Sequence, residues 1–318
     1  MFDLQQEQFR AQVSISWRCN NYSFKTRKPF SESCQYCNLW SPMERENTYV
    51  TFGKKTLPIS RELTPREWAQ GMHKVRQATG LKVLFDFTGG EPLIYEGLGE
   101  MLEKCRTYSA WSVTSNTSLT KQLHNLYGYN IDLPGSWTGS WHPRAGFPIE
   151  QFIENLKFVR SHGTYTSVTI VLHRSTKDTI KADLKRFQDE GFVTQIHLAL
   201  IDGYDFGKEE DQELRDLYAE LQYLNRSFAE NMDETPAGVP SPRNCLAGFR
   251  SVVVSSDGQC FLCYEHAMRQ SMQSIGQWGE WVPKTDLTRG CDWPCSFSCD
   301  LRLVEGVDPR LWLGAAAV

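Results

Sequence analysis

The chain has 318 residues, of which 40% are hydrophobic and 23% are charged, a composition typical of a globular protein with one large core or one core plus a satellite. Its formal net charge of -4 supplies no basic field for phosphate backbones, which argues against broad nucleic-acid binding. The start has no signal-peptide pattern, and no apolar run approaches the roughly 18 residues that a membrane span needs. We therefore expect a cytoplasmic protein that does not associate with membranes.

Short apolar runs alternate with helical patterns along the first two thirds of the chain. Val13, Ile15 and Trp17 alternate with polar residues and predict a strand that ends just before Cys19. A capping box at Thr64-Pro65-Arg66-Glu67 predicts the start of a helix. Further strands are predicted at residues 82–87, 111–115, 166–172 and 195–201, with amphipathic helices between them.

About six strand-helix units of this kind predict an α/β fold, because parallel strands need helical crossovers. We expect a partial (β/α)6 TIM-like barrel with a small cysteine-rich C-terminal extension. Residues 1–205 form the predicted barrel, residues 206–244 an amphipathic helix at 207–234 and a Pro/Gly-rich linker, and residues 245–318 the extension.

Unusual polar residues follow the predicted strands at their C-terminal ends, where active sites of such folds gather. They are Cys19, Gly89 to Glu91, Ser115 with Asn116, His142, His173 and Asp202. His142 and His173 are candidate catalytic residues for substrate binding or proton transfer, and His197 competes for the same role. Each histidine also fits a purely structural role.

Ten cysteines in a cytosolic chain indicate metal binding or catalysis rather than a disulfide framework. Cys19, Cys34 and Cys37 have the spacing C-x14-C-x2-C. Three thiolates on a 4Fe-4S cluster leave one iron open to an external ligand. The alternative is a zinc site on Cys34 and Cys37, completed by a cysteine pair from the tail.

Together with Gly89-Gly90-Glu91-Pro92 after the second strand, this triad resembles the radical S-adenosylmethionine (SAM) superfamily over roughly residues 10 to 205. The resemblance implies that the open iron binds SAM, and that one electron cleaves it to methionine and a 5'-deoxyadenosyl radical, which abstracts hydrogen from a substrate. It also implies a flavodoxin- or ferredoxin-like electron donor and an oxygen-sensitive enzyme. The first gap has fourteen residues where the family usually has three, although enlarged loops occur in some 7-carboxy-7-deazaguanine synthases.

The same resemblance implies roles for individual residues around SAM. The turn from Gly89 to Pro92 receives the methionine ammonium through Gly89, Gly90 and Glu91, as glycines allow close approach and a carboxylate pairs with a cation. Ser115 and Asn116 contact the ribose. Tyr36 packs against the adenine.

Six cysteines fall within the last 74 residues: Cys245, Cys260, Cys263, Cys291, Cys295 and Cys299. Their surroundings resemble the SPASM or twitch extensions of radical SAM enzymes, best at Cys-x-Ala-Gly and Asp-Gly-x-Cys. The resemblance implies at least one auxiliary iron-sulfur cluster, of the 4Fe-4S type. A zinc knuckle on Cys260, Cys263, Cys291 and Cys295 is the alternative. Cys105 lies on an apolar helical stripe and is expected to be a core thiol.

Three functional hypotheses follow. The first is a radical SAM enzyme acting on a ribosomally made peptide, because proteins with such tails frequently modify peptides. The second is a radical SAM enzyme acting on a small molecule such as a sugar, nucleoside or deazapurine. The third is a zinc-stabilised binding protein without turnover.

Overall fold

The computed structural model describes residues 8–16, 18–20, 22–23, 28–29, 39–40, 49–52, 55–58, 61–107, 109–131, 135–198, 212–224, 247–263, 266–267 and 273–283. The strands are β1 Gln8–Ser16, β2 Tyr22–Ser23, β3 Lys28–Pro29, β4 Leu39–Trp40, β5 Tyr49–Phe52, β6 Lys55–Pro58, β7 Lys82–Gly89, β8 Ser109–Ser115, β9 Gly135–Trp141, β10 Tyr165–Leu172, β11 Val193–Leu198, β12 Ser251–Val254, β13 Gln259–Phe261 and β14 Gly276–Gln277. The helices are α1 Pro65–Thr79, α2 Leu98–Cys105, α3 Thr120–Leu126, α4 Ile149–Ser161, α5 Ile180–Asp189 and α6 Gln212–Leu224, and a 3₁₀ turn spans Pro92–Ile94.

Nine strands form one sheet in the order β11-β10-β9-β8-β7-β1-β12-β13-β14. The six strands from β11 to β1 are parallel to one another, and each is followed along the chain by a helix. This arrangement confirms the predicted α/β class. β2 with β3, and β4 with β5 and β6, form two small antiparallel sheets in the segment between β1 and α1.

The helices pack on one face of the parallel sheet, which we call the outer face. In β1, Phe9, Ala11, Val13 and Ile15 alternate onto this face and are completely buried. Trp137 of β9 is also completely buried there. The apolar half of each strand therefore builds the core between sheet and helices.

The opposite face, which we call the inner face, is polar. In β1, Gln12 and Ser14 alternate onto it between the apolar residues. Arg10 forms an ion pair with Asp86 of β7, and Asp86 also accepts a hydrogen bond from the hydroxyl of Ser112 in β8. The interior of a closed TIM barrel is usually filled with branched apolar side chains. The inner face here is built instead to meet polar groups.

Several sequence predictions about element boundaries are confirmed. Thr64 is the N-cap of α1, and its hydroxyl and the Glu67 carboxylate form the predicted capping box. α6 covers Gln212–Leu224 of the predicted helix at 207–234, and the rest of that range lies outside the described residues. None of the helices that can be described here is long and apolar enough to cross a lipid bilayer.

The described part of the cysteine-rich tail shares the sheet and the core of the barrel. β12 pairs in parallel with β1, so that Arg10 lies opposite Ser251 and Val13 opposite Val254. Farther along, the indole Nε1 of Trp278 donates a hydrogen bond to the carbonyl oxygen of Trp68 in α1, at 3.0 Å. The tail is thus attached to the core through both main chain and side chains.

Gly71 makes room in α1 for the indole of Trp278. A Cβ on Gly71 would lie 2.1 Å from Trp278 Nε1, well inside van der Waals contact. The absence of a side chain at this helical position therefore allows the tail to dock.

We predict that Gly71→Ala destabilises the protein by about 1–3 kcal/mol because of this overlap. In an uncrowded helix the same change stabilises by roughly 0.5–1 kcal/mol. A double-mutant cycle with Trp278→Ala, measured by urea unfolding, separates the two effects. Gly71→Ala should become neutral or stabilising once the indole is removed. An equal loss of stability in both backgrounds would contradict the docking role of Gly71.

Candidate functional site

The C-terminal ends of β1, β7 and β8 lie side by side and bring three predicted site segments together. The N–H of Gly90 donates to the carbonyl oxygen of Ser16 at 2.9 Å, and the N–H of Glu91 donates to that of Arg18 at 2.7 Å. The Gly-Gly-Glu turn is therefore attached by main-chain hydrogen bonds to the segment that carries Cys19.

Gly89 is required by the shape of this turn. Its φ is 114°, in the region that side chains with a Cβ rarely adopt. A Cβ at this position would also lie 2.8 Å from the carbonyl oxygen of Ser16. The glycine thus allows β7 to turn sharply while remaining in contact with β1.

The carboxylate of Glu91 lies at the centre of the site and is completely buried. Its Oε1 accepts hydrogen bonds from the N–H of Leu93 at 3.0 Å and the hydroxyl of Ser115 at 2.8 Å. Its Oε2 accepts the N–H of Asn116 at 2.8 Å. Burial raises the pKa of Glu91 to about 7, and the three donors oppose this rise.

Two residues that the sequence analysis missed complete the connection between the ends of β1 and β8. The side-chain amide of Asn116 donates to Oδ1 of Asn20 at 2.7 Å, and the amide of Asn20 donates to the hydroxyl of Ser118 at 2.7 Å. The Ser118 hydroxyl donates in turn to Oδ1 of Asn116 at 2.6 Å. This closed ring fixes the main chain next to Cys19.

An ion pair supports the same segment from the other side. The guanidinium of Arg18 donates two hydrogen bonds to the carboxylate of Glu62, at 3.1 and 2.7 Å, and the hydroxyl of Ser16 donates to the same carboxylate at 2.7 Å. Bidentate pairs of this type restrict orientation as well as distance. The residues on both sides of Cys19 are thus held by side chains from other elements.

His142 follows β9 directly and lines a shallow cleft of about 10 Å³, which has room for about one water molecule. The other lining residues are Asn116, Ser118, Trp141, Ala145 and Phe147. Burial lowers the pKa of His142 to about 4, so its imidazole is neutral near pH 7. Through Asn116, the cleft adjoins the ring of hydrogen bonds beside Cys19.

His173 follows β10 and is 4% exposed. Its Nδ1 accepts the N–H of Ser175 at 3.2 Å, and its own N–H donates to the hydroxyl of Thr176 at 2.9 Å. These contacts fit the structural role rather than the catalytic one. His197 lies within β11 opposite Val171 and is exposed.

Only part of the predicted metal ligands can be placed. Cys19 is partly buried at the end of β1. The other predicted site residues of this region and of the tail lie outside the described residues: Cys34, Tyr36, Cys37, Asp202, Cys245, Cys291, Cys295 and Cys299. Within the part of the chain that can be described, no three His, Cys, Asp or Glu side chains are grouped to hold a metal ion.

The two described tail cysteines have different surroundings. Cys260 of β13 lies opposite Val254, is completely buried in the hydrophobic core, and burial raises the pKa of its thiol. Cys263 lies beyond the end of β13, and its Sγ accepts the N–H of His266 at 3.4 Å. Packing therefore favours Cys263 over Cys260 as a metal ligand. Cys105 is completely buried on α2, in agreement with its expected role as a core thiol.

Solved structures with bound SAM share this architecture, whereas no protein-family model matches the sequence. The structure of anSMEcpe with bound AdoMet has a TM-score of 0.53 and 16% identity, over 86% of this chain and 75% of that chain. Its complex with AdoMet and the Cp18Cys peptide has a TM-score of 0.52 and 15% identity, over 86% and 78%. Streptococcus suis SuiB bound to S-adenosylmethionine has a TM-score of 0.52 and 14% identity, over 84% of this chain and 63% of that chain.

The chain shares the fold of these structures. The expected partial barrel is thereby confirmed, and the described β7 turn and β1 end belong to it. This chain spans less than two thirds of the length of SuiB. At these identities the likeness establishes the fold alone, and the family and the roles of single residues remain predictions.

The raised pKa of Glu91 predicts a specific pH dependence of stability. Because the folded-state pKa is about 7 and the ordinary value is 4.5, the folded protein binds more protons than the unfolded chain between these values. The free energy of unfolding should therefore fall as pH rises through this window, by at most about 1.4 kcal/mol per pH unit. The Glu91→Gln variant should lack this component in urea unfolding between pH 5 and 8.

Glu67→Gln is the matched control, because Arg61 lowers the pKa of Glu67 to about 2. This carboxylate is ionised in both the folded and the unfolded chain above pH 5, so its loss should leave the slope unchanged. Parallel stability curves for the native protein and Glu91→Gln would show that burial does not control the titration of Glu91.

Proposed function

We propose that this protein is a radical SAM enzyme that abstracts a hydrogen atom from a peptide substrate. A 4Fe-4S cluster on Cys19, Cys34 and Cys37 would supply one electron, received from a flavodoxin- or ferredoxin-like donor, to cleave SAM into methionine and a 5'-deoxyadenosyl radical. That radical would take a hydrogen atom from the substrate, which would yield 5'-deoxyadenosine and a substrate radical. The later fate of that radical, and hence the enzyme subclass, stays open.

The observation that carries this proposal is the hydrogen-bonded junction at the ends of β1, β7 and β8. It joins the segment of Cys19 to the Gly-Gly-Glu turn through Ser16 and Arg18, and joins that turn to Ser115 and Asn116 through Glu91. A zinc site on Cys34 and Cys37 gives no reason for this junction. A ligand that contacts a cluster and three strand ends at once would account for it.

The residues at the junction fit the polar parts of SAM. We assign Gly89, Gly90 and Glu91 to the methionine ammonium of SAM, because an ammonium beside the carboxyl group of Glu91 would favour its ionised form. Ser115 uses its hydroxyl to hold Glu91, so its proposed contact with the ribose is indirect.

A peptide substrate is favoured by the structural relatives and by the inner face. The anSMEcpe structure was solved with a peptide as well as AdoMet. The inner face of the present sheet carries hydroxyl and amide groups along β1, β8, β9 and β10. Such groups match the donors and acceptors of a peptide main chain.

We further propose that the tail holds an auxiliary iron-sulfur cluster. Cys263 is our proposed ligand among the described residues, together with thiols from Cys245, Cys291, Cys295 and Cys299. Cys260, which packs in the hydrophobic core, stays a predicted ligand. Because β12 extends the sheet beside β1, this cluster would have a fixed position relative to the barrel.

Anaerobic reconstitution distinguishes this proposal from the zinc-stabilised binding protein. We expect brown protein that contains iron and acid-labile sulfide and that releases 5'-deoxyadenosine from SAM when reduced. Colourless protein with stoichiometric zinc and no SAM cleavage would exclude both enzymatic hypotheses.

We predict that Cys37→Ala abolishes 5'-deoxyadenosine formation, with at least a hundredfold loss, while tail-bound iron remains. The matched control is Cys105→Ala, which removes a thiol from the core of α2 and should retain both iron content and SAM cleavage. Iron analysis and chromatography of 5'-deoxyadenosine provide the two measurements. Undiminished cleavage by Cys37→Ala would reject the cluster assignment.

A further inference from the structure

Gln12 and Ser14 are buried polar residues on the inner face of β1 that the junction does not use. Each is 1% exposed. Among the residues that the structure describes, neither the Oε1 nor the Nε2 of Gln12, nor the hydroxyl of Ser14, has a hydrogen-bond partner. A buried amide without partners costs the protein several kcal/mol of stability, and such a group usually marks a ligand or functional contact.

The position of Gln12 relates it directly to the proposed reaction site. Its register partner on β7 is Asp86, which is held by Arg10 and Ser112. Ser16, whose carbonyl receives the N–H of Gly90, lies four residues farther along β1, or about 13 Å at strand spacing. Gln12 thus lies on the inner face of β1, four residues before the junction at Ser16.

Other polar groups lie on the inner face of the strands farther from β1. Thr169 of β10 is 6% exposed, and its hydroxyl likewise lacks a partner among the described residues. Thr138 of β9 and Ser167 of β10 share a hydrogen bond of 3.1 Å. Neutral hydrogen-bonding groups therefore lie along the inner face from β1 to β10. The charges of Arg10 and Asp86 on this face neutralise each other in an ion pair.

We propose that the carboxamide of Gln12 binds the main chain of an extended peptide substrate, with Ser14 binding the next peptide group toward the junction. This inference rests on the proposed function and adds a recognition site to it. In an extended chain the N–H and C=O of one residue point to the same side, so one carboxamide can accept from the first and donate to the second. Spacing along β1 matches spacing along such a peptide, because both rise about 3.3 Å per residue.

A purine is the main competing occupant, because a glutamine carboxamide also pairs with an adenine edge. Recognition of an unpaired base normally includes stacking on an aromatic ring. Among the described residues, the inward-facing aromatic side chains are separated from Gln12 by at least one strand: Phe261 of β13 lies beyond Val253 of β12, and Tyr165 lies on β10. The strands directly beside β1 place no ring next to Gln12, so we favour an amide chain over a base.

Calorimetric titration of the reconstituted full-length protein with acetyl-pentaglycine amide tests the proposal. The main chain of this probe is longer than the distance of about 13 Å from Gln12 to Ser16, and the probe carries no side chains. We expect Gln12→Leu to weaken its binding at least tenfold and Ser14→Ala to weaken it about threefold, since one lost hydrogen bond of about 1.4 kcal/mol corresponds to tenfold.

Thr166→Val is the matched control. The hydroxyl of Thr166 is also buried and without a partner among the described residues, but its register partner is Trp137, on the outer face. This variant should bind the probe as the native protein does. Melting temperatures provide the folding check, and Gln12→Leu should melt no lower than the native protein because it removes an unsatisfied buried amide.

Equal binding by Gln12→Leu and the native protein would overturn the proposal, as would the absence of binding by the native protein. Binding of adenosine that is lost in Gln12→Leu would overturn it in favour of a nucleoside site. SAM cleavage, measured in parallel, separates these outcomes from failure of the proposed function. If Gln12→Leu loses peptide binding but releases 5'-deoxyadenosine normally, the substitution has affected peptide recognition by Gln12 and not SAM cleavage.

Discussion

The buried carboxylate of Glu91 is the interaction on which the site depends. It gathers donors from its own turn and from the end of β8, while the main chain of the same turn binds the end of β1. A carboxylate without these donors would be costly at zero exposure, so each part of the junction requires the others. The position of the Cys19 segment is a consequence of this mutual dependence.

Much of the barrel was predictable because its signals are local. The capping box at Thr64, the strand before Gly89 and the placement of His142 and His173 after strands are encoded within a few neighbouring residues each. Asn20 and Ser118 were missed because their ring with Asn116 is formed by residues almost 100 positions apart. Short polar residues in loops give no sequence signal of such contacts.

The polar inner face was also visible in the sequence, although only half of the pattern was used. Alternation of Val13, Ile15 and Trp17 predicted the strand, and no role was given to the polar residues between them. Gln12 is in fact buried. Spacing likewise did not separate Cys260 from Cys263, because their difference depends on the end of β13, which leaves Cys260 within the strand and Cys263 beyond it.

Parallel pairing of β12 with β1 has a consequence for the order of folding during synthesis. Val13 reaches its partner Val254 only after about 240 further residues have been made. At 5–20 residues per second, this corresponds to roughly 12–50 s during which one side of β1 has no strand beside it. An unpaired strand edge attracts other chains. The nascent protein thus exposes one edge of β1 to other chains until β12 has been made and has paired with it.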